Sequence, residues 1–211
     1  MKKVLLVALG LITGATMFAQ DNKMWIGGTA GFATDNFKDA NDDTNDMKGS
    51  NWNFGPNFAY HLNEKMAVGL SLSLTGGSST QNNALESKWT NSGYNIQPYL
   101  RYYFAGSDNF KFFGDVAVGF GGGKNTNETN VANSKTESKY SSLNAGVYAG
   151  AQYWFTPNWS MATSLGMLGY NSMTDNKGES DAAGKSLETT DSGFGLMGDF
   201  TSLNFSMFYH F

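Results

Sequence analysis

Between residues 66 and 75, large apolar and small or polar side chains alternate without a break. Met66, Val68, Leu70, Leu72 and Leu74 stand against Ala67, Gly69, Ser71, Ser73 and Thr75. A period of two marks a β-strand whose faces meet different surroundings, because successive side chains point to opposite sides. The pattern recurs at 51–62, where Trp52, Phe54, Pro56, Phe58, Tyr60 and Leu62 share a face, and again at 94–104, 112–120, 143–155, 159–167 and 203–211. A glycine-rich stretch at 24–34 completes a predicted set of eight strands. The connections alternate in length. Asn63-Glu64-Lys65, residues 105–109 and Thr156-Pro157-Asn158 are tight turns, whereas 35–50, 76–91, 122–139 and 171–192 read as long, polar, mobile loops. Short turns therefore gather at one end and long loops at the other, as in an all-β, up-and-down antiparallel barrel.

The two faces decide what surrounds such a barrel. A soluble ligand-binding barrel carries its large apolar residues inside and charges outside. Here the second face is mainly Gly, Ala, Ser, Asn and Gln, too poor in charge for a solvent surface. An interior just wide enough for side chains takes those small residues, which leaves the apolar face for lipid and makes the barrel transmembrane. Aromatics gather near strand ends, at Trp52, Tyr60, Tyr102, Phe104, Tyr153, Phe155, Trp159 and Tyr209. That is where a membrane-interface girdle belongs.

Export is written at the N-terminus. Lys2 and Lys3 precede an apolar run from 4 to 12 and a small-residue stretch to Ala19, the layout of a cleavable signal peptide over residues 1–20. The run is too short to cross a bilayer as a helix, which needs about 20 residues. The barrel domain is then 21–211, with 12 basic against 18 acidic residues and a net charge of −6. Such a balance argues against nucleic acid, whose phosphates are met by Lys and Arg. Cysteine is absent, so neither a disulfide nor a thiolate metal site is expected, and no cofactor is called for.

The last strand supplies a family resemblance. Leu203, Phe205, Met207, Tyr209 and the final Phe211 share one face. This run resembles the C-terminal assembly signal of bacterial outer-membrane proteins, an aromatic end preceded by alternating apolar residues. With the export signal and the eight-strand layout, residues 21–211 resemble the small outer-membrane barrels of the OmpA and OmpX type over their whole length. The resemblance implies a Gram-negative outer-membrane location among its lipids, short periplasmic turns, long extracellular loops and delivery by the barrel assembly machinery. It also implies a role in membrane architecture, adhesion or slow passive permeation. No peptidoglycan-binding module is expected after Phe211.

Candidate chemistry is sparse. Residues 119–125 superficially resemble a phosphate loop but lack its first glycine and place Asn125 where a Ser or Thr belongs, so they read as a strand leaving the membrane into a loop. Asp39, Asn41, Asp43 and Asn45 offer oxygen ligands at alternate positions, a weak divalent-cation candidate in which Thr44 replaces the turn glycine and Ser50 the bidentate Glu. Both histidines, His61 and His210, sit at the short-turn end, away from the Ser-rich loops, so no nucleophile–base pair and no enzyme is expected. The sharpest pair is Arg101, the one arginine, with Asp115. Turn geometry sets them as diagonal neighbours in the lumen, amid Gln97, Tyr99, Tyr103, Lys111, Gln152 and Trp154. The expected function is non-catalytic surface interaction, adhesion-like, with an extracellular ligand met through the loops. The alternative is a narrow, porin-like conduit for small or hydrophobic solutes, favoured if an apolar path opens near Leu168 and Phe200.

Overall fold

The computed structural model describes residues 23–37, 46–82, 87–130, 134–176, 184–197 and 205–211. It is all-β. The strands are β1 (Met24–Phe37), β2 (Asp46–Asn63), β3 (Met66–Asn82), β4 (Ser87–Gly106), β5 (Phe110–Thr129), β6 (Ser134–Thr156), β7 (Trp159–Asp175), β8 (Thr189–Met197) and β9 (Phe205–His210). Neighbours in sequence pair antiparallel from β1 to β7. β9 then lies between β7 and β1, matching Trp25 to His210 and Trp159 to Tyr209, and closes the barrel.

The eighth wall strand is described in two pieces, β8 and β9. β7 pairs Met167 with Met197 but Thr163 with Phe205, so it advances four residues while the last segment uses eight. Among the described residues, β1 meets β9 only over Trp25–Gly28, and β8 pairs only with β7. Leu203 and Phe200 lie outside the described residues, while Leu168 faces outward.

Large side chains on the outer face are exposed in a belt around the barrel. On β4 it runs from Tyr94 through Ile96, Leu100 and Tyr102 to Phe104. Ten residues of a strand tilted about 40° rise roughly 25 Å, the height of an outer-membrane apolar band. Tyr60, Tyr102, Phe104, Tyr153, Phe155, Trp159 and Tyr209 border it at the short-turn end.

Strand length departs from the sequence expectation. β2 to β7 run 17 to 23 residues, whereas about 9–11 suffice to cross a bilayer. Most of the stretches expected as loops are paired strand. Residues 119–125 continue β5 as far as Thr129 instead of leaving it. The polar hairpins hold because cross-strand partners match: Ser50 with Ser78 at 3.3 Å, Thr129 with Ser134 at 2.7 Å, Thr174 with Thr190 at 2.9 Å. Ion pairs join Lys124 to Glu137 at 3.2 Å and Lys135 to Glu128 at 2.8 Å.

The lumen packs by alternating size around the wall. Trp25 lies opposite Ala59, Ala59 opposite Gly69, Gly69 opposite Tyr99, and Tyr99 opposite Ala117. Tyr99 covers Gly69 and Phe113 covers Gly150, leaving no room for a side chain beneath either ring.

Candidate functional site in the barrel lumen

Arg101 on β4 and Asp115 on β5 form a bidentate pair, Nε to Oδ1 and Nη2 to Oδ2, both at 2.8 Å. They are directly opposite, not diagonal. The turn is shorter than 105–109: Gly106, at φ 136°, keeps β4 paired as far as Lys111, and a bulge between Tyr103 and Ala105 shifts the register. The guanidinium carbon stands 3.5 Å from the centre of the Phe113 ring.

From this pair a hydrogen-bonded chain crosses the lumen. Arg101 Nη1 donates to Gln152 Oε1 at 3.0 Å, and the Tyr103 hydroxyl donates to the same oxygen at 2.8 Å. Gln152 Nε2 donates to Ser160 Oγ at 2.8 Å, and Ser160 Oγ meets His210 Nε2 at 2.7 Å. Beside it, the Trp25 indole and the Tyr99 hydroxyl both donate to Asn57 Oδ1, at 3.1 and 2.8 Å. Trp25, Phe113, Gln152, Ser160 and His210 are almost wholly buried. A cavity of about 260 Å³ borders Arg101 and Asp115 on the side of the long hairpins. One of about 780 Å³ opens at the short-turn end against His61, Trp154 and His210. The network lies between them.

The chain is thus a closed barrel with an outward apolar belt and a lumen filled by its own polar chain. The model of the outer membrane protein beta-barrel domain matches residues 4–200. The chain belongs to this family. It is a bacterial outer-membrane β-barrel. No curated protein matches the sequence. Among solved structures it is similar to Ail, the attachment invasion locus protein of Yersinia pestis. The identity is 15%, with 90% of this chain and 97% of that chain covered and a TM-score of 0.43. Ail in complex with the heparin analogue sucrose octasulfate aligns at 14% identity, over 90% of this chain and 97% of that one, with a TM-score of 0.44. The N-terminal barrel of Pseudomonas aeruginosa OprF aligns at 16%, covering 90% and 98% respectively, with a TM-score of 0.32.

In this outer-membrane barrel the short turns are periplasmic and the long hairpins extracellular. The structure corrects one chemical expectation. The Ser-rich loops stand at the far end from both histidines, as expected, but a strand serine does not. Ser160, at the periplasmic start of β7, contacts His210 directly. The serine is fully buried, and among the described residues no carboxylate bonds to His210, so the contact is a link in the lumen chain. His61 stacks near His210 with ring centres 6.3 Å apart and edges onto Trp25 at 4.7 Å. Asp39, Asn41, Asp43 and Asn45 lie outside the described residues, and no cluster of metal-ligating side chains occurs among those described. Phe205, Met207 and Tyr209 expose their rings and thioether on the outer face. Above the belt, Lys135 holds the Glu128 carboxyl below its ordinary pKa by hydrogen bond and charge.

Sequence reasoning set Phe113 opposite Arg101 without naming it as a filler and missed Trp25 and Phe208 as lumen fillers. Their signal is a doublet: Met24-Trp25, Phe112-Phe113 and Phe208-Tyr209 put bulk on both faces where small-against-large alternation was assumed. Gln152 is the hub, because three side chains depend on it. Gln152→Leu is expected to destabilise the barrel by about 1–3 kcal/mol per stranded partner, read by urea unfolding in lipid vesicles. A change below about 0.5 kcal/mol would show the hub is dispensable.

Proposed function

We propose that this outer-membrane protein is a non-catalytic, non-conducting barrel that offers its extracellular mouth to ligands or other surfaces. The observation that carries the reading is the lumen chain from Asp115 to His210 through Arg101, Gln152 and Ser160. With Trp25 and Phe113 packed against it and nearly inaccessible, it obstructs a continuous water path. The paired polar hairpins supply the contact surface on the other side, and loop positions commonly carry binding. Residues 1–20 act as the cleaved export signal, and the strand with Leu203, Phe205, Met207, Tyr209 and Phe211 is the segment read by the assembly machinery. The outward belt meets outer-membrane lipid.

Planar-bilayer recording tests the plug. Protein that migrates differently before and after boiling, and so is folded, is expected to give no unitary conductance steps. Stable steps from the same preparation would replace this reading with the narrow solute conduit.

A further inference from the structure

The extracellular mouth holds a third cavity, of about 530 Å³, that the lumen chain does not use. Two consecutive rows of inward side chains build most of its wall, and Phe37 and Met47, paired across β1 and β2, extend it one row higher. The lower row matches Asn51, Gly77, Asn91, Asn125 and Ser138 across five strands, β2 to β6. The row above matches Gly49, Ser79, Trp89, Asn127 and Thr136. One row below, the Tyr140 ring reaches across Gly123 towards Gly93 and forms a floor.

Three features of this cup point to a ligand. Trp89 faces inward yet remains 38% exposed, because its neighbours across β3 and β2 are Ser79 and Gly49, which leave the ring uncovered. The side-chain amides of Asn51, Asn91, Asn125 and Asn127 enter none of the side-chain hydrogen bonds formed among the described residues. Among the described residues lining the cup, the charged one is Asp35, and no cation lines it.

We propose that this cup binds a neutral oligosaccharide. The proposal rests on the surface-interaction reading above and names its ligand class. A sugar hydroxyl both donates and accepts, and an Asn amide offers both functions side by side, so four open amides match a run of hydroxyls. The apolar C–H face of a pyranose stacks on an indole ring. A concave site of a few hundred cubic ångströms with two aromatic side chains, Trp89 and Phe37, and a few convergent polar groups suits such a ligand. With a carboxylate and no Lys or Arg, the cup repels sulfated or phosphorylated polymers.

The test uses refolded full barrel in an amine-oxide detergent, which has no sugar headgroup, titrated calorimetrically with chitotriose, maltotriose and mannotriose. At least one is expected to bind saturably, and sucrose octasulfate is expected not to compete with it. Trp89→Ala should weaken binding by about tenfold or more, while Trp89→Phe keeps it within about threefold. Gly49→Gln is the second variant. A Cβ there meets nothing closer than 3.7 Å, so the side chain is accommodated and occupies the cup. It should abolish binding in protein that still shifts on boiling. The proposal is overturned if all three sugars fail to bind up to about 10 mM, if binding survives both Trp89→Ala and Gly49→Gln, or if a blocked neutral tripeptide binds in their place. Unitary conductance steps would instead sink the underlying surface-interaction reading, so the two failures are separable.

Discussion

Arg101→Ala is expected to destabilise the folded barrel by about 3–5 kcal/mol, the range for removing one partner of a buried ion pair. The guanidinium is the donor to both Asp115 oxygens and to Gln152 Oε1, so truncation leaves a carboxylate in the lumen with its charge uncompensated. It also removes the group stacked on Phe113. Urea unfolding in phospholipid vesicles, followed by tryptophan fluorescence, measures the loss. A charge origin makes a further demand: Arg101→Met with Asp115→Leu should recover most of the stability, because apolar side chains of similar volume then fill the space. If the double variant is as unstable as the single one, the lost contribution is packing and hydrogen bonding instead of the stranded charge.

Gly150→Val is the second large effect. A Cβ at this position collides with the Thr163 carbonyl oxygen on β7 and with the edge of the Phe113 ring. Neither yields readily: the carbonyl belongs to the wall, and Phe113 is pinned beneath Arg101. Overpacking of this kind costs about 3 kcal/mol or more. The expected result is a sharp fall in the fraction of protein that shifts on boiling. Gly114→Ala is the control, since a Cβ there meets only the Tyr148 carbonyl oxygen at 3.9 Å. Equal folding yields for the two variants would remove steric filling as the reason for the glycine.

The membrane-spanning half of the barrel was legible because lipid imposes one rule on every strand. Val68, Leu100, Val116, Val147 and Met207 had to share a face, and they do. The extracellular half obeys no such rule. Lys124, Thr126 and Glu128 are polar and stand among polar residues, so periodicity carries no information there, and pairing rests on cross-strand partners that a linear reading does not see. The Arg101–Asp115 register was obscured by two local features, Gly106, which keeps its strand paired at positive φ and shortens the turn, and the bulge between Tyr103 and Ala105. Ser160 was invisible as a histidine partner for a related reason. Its contact joins β7 to β9, 50 residues apart, and depends on barrel closure, not on any local motif. The mouth cup is legible only after register is known, since Asn51, Asn91 and Asn125 are ordinary asparagines until four paired strands, β2 to β5, set them in one row.

The length of the polar strands bears on how the cell surface is seen from outside. Walls that continue past the belt, for seven residues on β4 above Tyr94 and nine on β5 above Phe120, lift the mouth roughly 20 Å clear of the bilayer as a collar. What an antibody meets on that collar is a patch assembled from several strands at once, such as Lys88 beside Glu128 and Lys135, where Lys88 belongs to a different hairpin from the other two. Such epitopes exist only while the barrel is closed. Sera raised against the native surface would recognise folded protein and lose it on boiling, and peptide fragments of the same hairpins would be poor immunogens.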